Sequence, residues 1–246
     1  MKTRAEKVDG FYKINGSKLY ITNSPMADFM MLAARTAPEL KPSAISLFIV
    51  ELPNAAVEIS HLKKEGLKGS ETGLLYIEDL FVPDDCLLGH TEGTYPVILE
   101  SLTENWVGVT ASVIGLAKGA HEEALDYARD RIVADKPILE YQAVAHSLAD
   151  TVGDIEAENW VCHGAWQVDQ GGIDHESAAK IKLFVSEAAF RVTERAIRVL
   201  GGAGMMREYG VGRHHRDAMV YLFGEGASEI QRILKSLAMK ERDILS

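Results

Sequence analysis

Cysteine is nearly absent from these 246 residues: only Cys86 and Cys162 occur, 76 positions apart. That excludes a disulfide scaffold and a CxxC zinc or redox site, and it leads us to expect a reducing compartment, the cytoplasm. Long apolar runs are missing too. A stretch such as Phe29 to Ala34 falls far short of the ~18 residues a membrane helix needs, so no membrane insertion is expected. The opening MKTRAEKVDG has basic residues but no apolar core behind them, and it does not read as a signal peptide. Positive charge is scarce: 26 basic against 36 acidic side chains give a formal −10, with no basic run. Such a chain lacks the electrostatic footprint that nucleic acid or an anionic membrane requires. The rest of the composition, 47% apolar and 25% charged, is that of an ordinary globular protein, and the length allows one large domain or two modest ones.

The pattern changes near residue 90. Before it, apolar stretches are short and turn residues frequent. Phe11 to Ile14 and Lys18 to Thr22 flank Asn15-Gly16, a pair that favours a hairpin turn because both positions want positive φ. Asn15-Gly16-Ser17 also fits a glycosylation sequon, but we read it as that turn. Further strands are expected at Phe29 to Ala34, Ala44 to Val50, Val57 to His61 and Leu74 to Val82, punctuated by Pro42, Pro53 and Pro83. They suggest an antiparallel sandwich or small barrel over residues 1–90. After Thr94 the period becomes helical. Ile98, Leu102, Val109, Val113, Leu116 and Ala120 form one stripe of a helix from Pro96 to about Arg131. A second helix is expected from Pro137 to Gly171-Gly172, with Ile138, Tyr141, Val144, Leu148, Val152 and Ile155 on its apolar face. A third runs from about His175 to Gly201-Gly202, and a fourth from about Ala227 to Arg242. Long helices on short links make residues 91–246 an expected up-down four-helix bundle. The fold class is therefore α+β.

Periodicity supplies no chemistry, but several short motifs do, in a fixed order. They are Ile21-Thr22-Asn23, then Gly66-Leu67-Lys68-Gly69-Ser70-Glu71-Thr72, then Asp79-Leu80-Phe81-Val82-Pro83. Gly115-Leu116-Ala117 follows, then Tyr127-Ala128 with Arg131, Lys136-Pro137-Ile138 and Gln142. Gly201-Gly202-Ala203-Gly204, Arg216-Asp217-Ala218 and Gly224-Glu225-Gly226-Ala227-Ser228-Glu229-Ile230 complete the series. Each is weak alone. Their order and spacing closely resemble the middle and C-terminal domains of acyl-CoA dehydrogenases, the FAD enzymes that desaturate fatty acyl thioesters, over nearly all of the chain. The resemblance implies a β domain and a four-helix bundle with FAD held between them and across a subunit interface. It also implies that the family's N-terminal helical domain and first β strand precede Lys2-Thr3-Arg4-Ala5 elsewhere, supplied by a separate chain or lost with the start at Met1.

The resemblance places Glu225 where most of the family carries its catalytic base. A thioester α-proton is weakly acidic, so its removal needs a positioned base and a stabilised enolate-like oxygen. Gly224 and Gly226 let the backbone come close to substrate, Gly226 as a binding residue. By resemblance the Glu225 N–H and a flavin hydroxyl bind the thioester carbonyl, and the β-hydride passes to FAD. Read without the family, Glu225 is an acidic residue in a helix N-terminal turn, where carboxylates are favoured. Arg131 matches the arginine that binds the FAD pyrophosphate of the neighbouring subunit, as a guanidinium suits; alternatively it caps a helix C-terminus. Gln142 matches the glutamine at the adenine side, or lies on a polar helix face. Gly201, Gly202 and Gly204 resemble the loop beside the adenosine, and they also fit a helix stop. Tyr20 and Thr22 match positions against the isoalloxazine, Tyr20 standing in for a usual tryptophan. Ser228 and Glu229 match positions beside the adenine end. No metal site is expected: His214-His215 would point to different faces of a helix, and the other histidines are single.

Five positions depart from the pattern that the resemblance implies. Ala134-Asp135 replaces an aromatic-glycine pair, and its carboxylate would repel a pyrophosphate. Trp106 replaces a frequent arginine of the first bundle helix, Ala227 a threonine, and Arg198 a glutamine. Three readings follow. The first is an acyl-CoA dehydrogenase-like flavoprotein that passes electrons from an acyl-CoA to an electron-transfer flavoprotein-type acceptor. The second is a truncated or degenerate non-catalytic subunit with an oligomerisation role. The third is a related flavin oxidase or monooxygenase that reacts with O₂. A bundle built to cover another domain exposes more apolar surface than a monomer tolerates, so a homodimer, homotetramer or partner chain is expected.

Overall fold

The computed structural model describes residues 2–37, 44–89 and 93–244, with side chains up to 236. The expected Pro42 boundary and His90 lie outside the described residues. The chain divides into two compact units, residues 1–100 and 101–246.

The first unit is a single sheet. Its strands are β1 (Arg4–Val8), β2 (Phe11–Thr22), β3 (Phe29–Arg35), β4 (Ile45–Glu51), β5 (Val57–His61) and β6 (Thr72–Pro83), in the order β4-β3-β1-β2-β6-β5. Every pairing is antiparallel except β1 with β3, which is parallel at Arg4 and Arg35. The sheet rolls up. Tyr12 and Phe48 lie three strands apart in the order, yet their rings meet at 4.9 Å, edge to face. At ~4.8 Å per strand a flat sheet would separate them by about 14 Å. The roll is fastened where the chain leaving β6 returns to β4: Leu88 N donates to Leu47 O at 2.9 Å, beside a bridge between Phe48 and Leu87. One core results, from Ala5, Tyr12, Ile14, Leu32, Phe48, Val57, Leu75 and Leu80.

Asn15-Gly16 is not a turn. β2 runs straight through it as one strand of 12 residues. The Asn15 side chain is spent on a bulge in the facing strand: Asp79, at φ +50, donates its N–H to Asn15 Oδ1 at 2.8 Å. A Cβ on Gly16 would come within 2.7 Å of the Thr3 Cα, so this glycine permits close backbone approach. The turn that joins β1 to β2 is Asp9-Gly10, with Gly10 at φ +73. Asp-Gly is itself a strong hairpin pair.

The second unit is helical. Its helices are α1 (Tyr95–Asp130), α2 (Gln142–Ile155), α3 (Glu158–Asp169), α4 (His175–Leu200), α5 (Val211–Phe223) and α6 (Ser228–Ile244). A small hairpin, β7 (Ile132–Val133) and β8 (Lys136–Pro137), follows α1. The expected second helix is jointed at Glu156-Ala157 into α2 and α3, and α5 was not foreseen. The buried line of α1 lies beside the expected stripe, through Trp106, Val107, Val113, Ile114, Ala117, Ala120, Ala124 and Ala128. Small residues occupy its second half, where Ala120, Ala124 and Ala128 share a cluster with Ala196, Val199 and Leu200 of α4. α4 is the central element, and it packs on α2, α3, α5 and α6. Its start is capped by Asp174, whose Oδ1 accepts from Ser177 N at 2.9 Å. Asp154 of α2 ties to α4 by Arg191, at 2.6 Å, and by Arg195. Among the described residues no helix is long and apolar enough to cross a membrane.

Candidate active site

Glu225 sits in the turn between α5 and α6, at φ +54, followed by Gly226 at φ +93. Two consecutive left-handed residues end one helix axis and start the next. Glycine adopts this freely, but glutamate pays for it, and such outliers concentrate at functional sites. The Glu225 side chain is exposed.

Beneath the turn lies a buried polar cluster. Lys182 of α4 is 1% exposed, and its Nζ donates to Gly226 O at 2.7 Å. Burial draws this amine down to about 8, against the raising influence of Glu225, Glu229 and Glu187. Gln231 of α6 is fully buried, with Nε2 3.5 Å from the same carbonyl. Trp106 of α1, 4% exposed, brings its indole Nε1 to 3.9 Å from where a Cβ on Gly226 would stand. Trp106 Nε1, Gln231 Oε1 and Ser228 Oγ have no hydrogen-bond partner among the described residues. Ser228, in the first turn of α6, lines a cavity of about 330 Å³ with Glu229, Glu187, Phe190, Arg191, Leu222 and Phe223. Glu229 is exposed and 3.9 Å from Arg232.

A second group of expected residues gathers at the other end of α4. Gly201 stops the helix at φ +59, its N–H donating to Arg198 O and Ile197 O. Both Gly201 and Gly202 have open space where a side chain would project. Gly204 serves a different end: a Cβ there would meet Ile197 O at 2.7 Å, so it is a packing glycine against α4. Arg198 is paired with Glu194 at 2.6 Å. Arg131 and Gln142 are exposed, one on each side of the β7–β8 hairpin. Arg131 lines a cavity of about 650 Å³ with Glu123, Asp126, Tyr127, Asp130 and Tyr209. The hairpin turn holds Ala134 at φ +46 and Asp135 at φ +63, the conformation that a glycine takes without strain.

Tyr20 and Thr22 belong to the first unit. Tyr20 is 73% exposed at φ +61, in an irregularity of the β2–β6 register that turns its ring outward. Thr22 ends the strand, exposed. Between them and the strand centre, Lys18 donates Nζ to Ala33 O at 2.6 Å and is drawn down to about 8 by burial. His214 and His215 do face different elements: His215 Nδ1 lies 3.0 Å from Thr193 Oγ1, while His214 lies beside Gly119 and Gly210.

Sequence reasoning missed Lys182, Gln231 and the Trp106 indole as members of the cluster. Lys182 had a signal: it stands in register with Ala178, Ala179, Val185 and Ser186, on the face of α4 that a lysine normally avoids.

The residues fit the flavin that the resemblance implies. Ser228 Oγ is a buried polar atom with no partner among the described residues, Gly201 and Gly202 leave an open backbone face, and Arg131 is exposed and lines a cavity. Residues 93–238 match the family model of the acyl-CoA dehydrogenase C-terminal domain, and residues 1–80 that of the middle domain. An acyl-CoA dehydrogenase of Bacillus subtilis is 34% identical over 96% of this chain and 63% of its own length. The structure of butyryl-CoA dehydrogenase from Megasphaera elsdenii superposes with a TM-score of 0.92 at 33% identity, over 97% of this chain and 63% of that one. A prolyl acyl carrier protein oxidase, AnaB, superposes at 0.93 with 27% identity, over 97% of this chain and 64% of that one. The chain thus spans less than two thirds of the length of these relatives.

Proposed function

The chain belongs to the acyl-CoA dehydrogenase family, and from that premise we propose that it is the base-bearing part of a flavin-dependent oxidoreductase that desaturates an acyl-CoA thioester. One observation carries this reading: Glu225 is held at φ +54 in front of Gly226 at φ +93, over a buried cluster in which Trp106 Nε1, Gln231 Oε1 and Ser228 Oγ have no hydrogen-bond partner among the described residues. In this reading the Glu225 carboxylate takes the α-proton of the thioester. The Glu225 backbone N–H orients the thioester carbonyl, and Gly226 leaves room for that approach. Ser228 and Glu229 hold the adenine end of FAD, and Tyr20 and Thr22 of the first unit are the residues proposed to meet a flavin ring. Arg131, Gln142, Gly201 and Gly202 meet the pyrophosphate and adenosine of the FAD on a neighbouring copy. When bound, FAD supplies the acceptor for the β-hydride. The two cysteines are free, which suits a reducing compartment such as the cytoplasm. An electron-transfer flavoprotein-type partner is the proposed acceptor, in keeping with one structural relative described as part of work on such a flavoprotein.

The test is to add FAD to the purified chain and follow bleaching of its visible absorbance by butyryl-CoA. Glu225→Gln should slow bleaching by roughly 10²–10⁴-fold, as loss of a positioned general base does, and leave FAD content unchanged. Bleaching at the wild-type rate would remove Glu225 as the base. A second reading, a subunit that assembles but turns over nothing, is favoured by the carboxylates around Arg131; no flavin uptake even in excess FAD would select it.

A further inference from the structure

We propose that Lys182 is the positioning residue for Glu225: from the buried face of α4 it fixes the Gly226 carbonyl, and so locks the left-handed turn that aims the carboxylate. The functional importance of that turn rests on the reading of Glu225 above; the hold itself does not.

A lysine at 1% exposure needs a reason. Burying an ammonium is costly unless it is paired and hydrogen-bonded. Among the described residues Lys182 makes no ion pair, and its hydrogen bond goes to Gly226 O at 2.7 Å. The register around it is apolar or small: Ala178, Ala179, Val185 and Ser186. An alkyl side chain would fill that space at lower cost. What the lysine adds is a charged donor on one carbonyl, and such bonds are about twice as strong as neutral ones. That carbonyl belongs to the residue after Glu225. The turn needs an anchor, since Gly226 has no side chain and the Glu225 side chain is exposed. Gln231 reaches the same oxygen only at 3.5 Å. The Trp106 Nε1 of α1 lies 3.9 Å from where a Cβ on Gly226 would stand and has no hydrogen-bond partner among the described residues. The charged groups in the field of Lys182 are Glu225 from the turn, Glu229 from α6 and Glu187 from α4 itself. All three are acids, so the amine keeps its proton at neutral pH despite burial.

The experiment compares wild type with Lys182→Met, which keeps the length and removes the donor, and Lys182→Arg, which keeps a donor. Amide hydrogen exchange over residues 224–231 is read with and without added FAD, beside thermal melting and butyryl-CoA bleaching. In Lys182→Met, exchange over 224–231 should speed by roughly ten- to a hundredfold while melting stays near wild type. Bleaching should slow by a similar factor at an unchanged half-saturating butyryl-CoA concentration. Lys182→Arg should restore most of both. Unchanged exchange in Lys182→Met overturns the proposal. So does exchange that rises only together with a fall in melting temperature, because that marks a general packing role. Faster exchange with undiminished bleaching also overturns it. Glu225→Gln separates the two readings: if it bleaches normally, the base assignment fails, while the exchange result still decides whether Lys182 holds the turn.

Discussion

Lys18 and Lys182 are each drawn by burial from the usual 10.5 to about 8. A folded pKa below the unfolded one means that the unfolded chain binds more protons between about pH 8 and 10.5. Stability contributed by these groups therefore rises with pH across that window, and is flat below it. For Lys182, the less exposed of the two, the full change is on the order of 3 kcal/mol. The expected outcome is that the unfolding free energy of wild type climbs between pH 8 and 10 relative to that of Lys182→Met, measured by urea titration at each pH. A difference that stays constant with pH would show that the buried amine is not depressed. Single residues were unevenly legible in the sequence. Glu225 and Gly226 stood out because a motif surrounds them. Lys182 did not, because helix faces were assigned from apolar letters and a lysine on the buried register reads as noise. Gly204 was legible as a special glycine but not for its cause, since the contact with Ile197 O is made only once the chain has turned.

At the scale of elements, strands and long helices were legible from period and punctuation, and their joints were not. Asn15-Gly16 carried the local preference of a hairpin, yet β2 passes through it because Asp79 and Thr3 make use of those two residues from elsewhere in the sheet. The joint at Glu156-Ala157 has neither proline nor glycine to announce it. The β7–β8 hairpin matters most for function. Its turn residues Ala134 and Asp135 both stand at positive φ, and Asp135 adds a carboxylate to the hairpin that follows Arg131, which lines a cavity with Glu123, Asp126 and Asp130. If Arg131 meets a pyrophosphate, Asp135 weakens that contact. Asp135→Asn and Asp135→Gly should both tighten FAD binding, read by quenching of flavin fluorescence. The gain should shrink as salt is raised from about 0.01 M to 1 M, where the Debye length falls from about 30 to 3 Å. Equal affinities for both variants and wild type at low salt would place the pyrophosphate elsewhere.

At the scale of the whole molecule, the expected site residues of the helical unit fall into two sets. Glu225, Gly226, Ser228 and Glu229 gather near Lys182, while Gly201 and Gly202 follow Leu200, with Arg131 and Gln142 beside the cluster that holds Ala128, Val144, Val199 and Leu200. Lys182 and Leu200 are 18 residues apart on one helix, which is about 27 Å at 1.5 Å per residue. In the proposed reading the two sets are halves of different sites, each completed by a second copy of the chain. Trp160, Trp166, Phe184 and Phe223, all more than two-fifths exposed on this unit, give such a copy apolar surface to bury. If flavin binds only where two copies meet, association and flavin uptake are one linked equilibrium. The apparent affinity for FAD should then rise with protein concentration and track the shift from 27 kDa to its multiples in sedimentation. Arg131→Ala should weaken FAD binding while leaving the sedimentation of the FAD-free chain unchanged, because that arginine is exposed on its own copy. An FAD affinity that is the same for monomer and oligomer would mean that one copy holds the flavin alone, and that the set around Arg131 does something else.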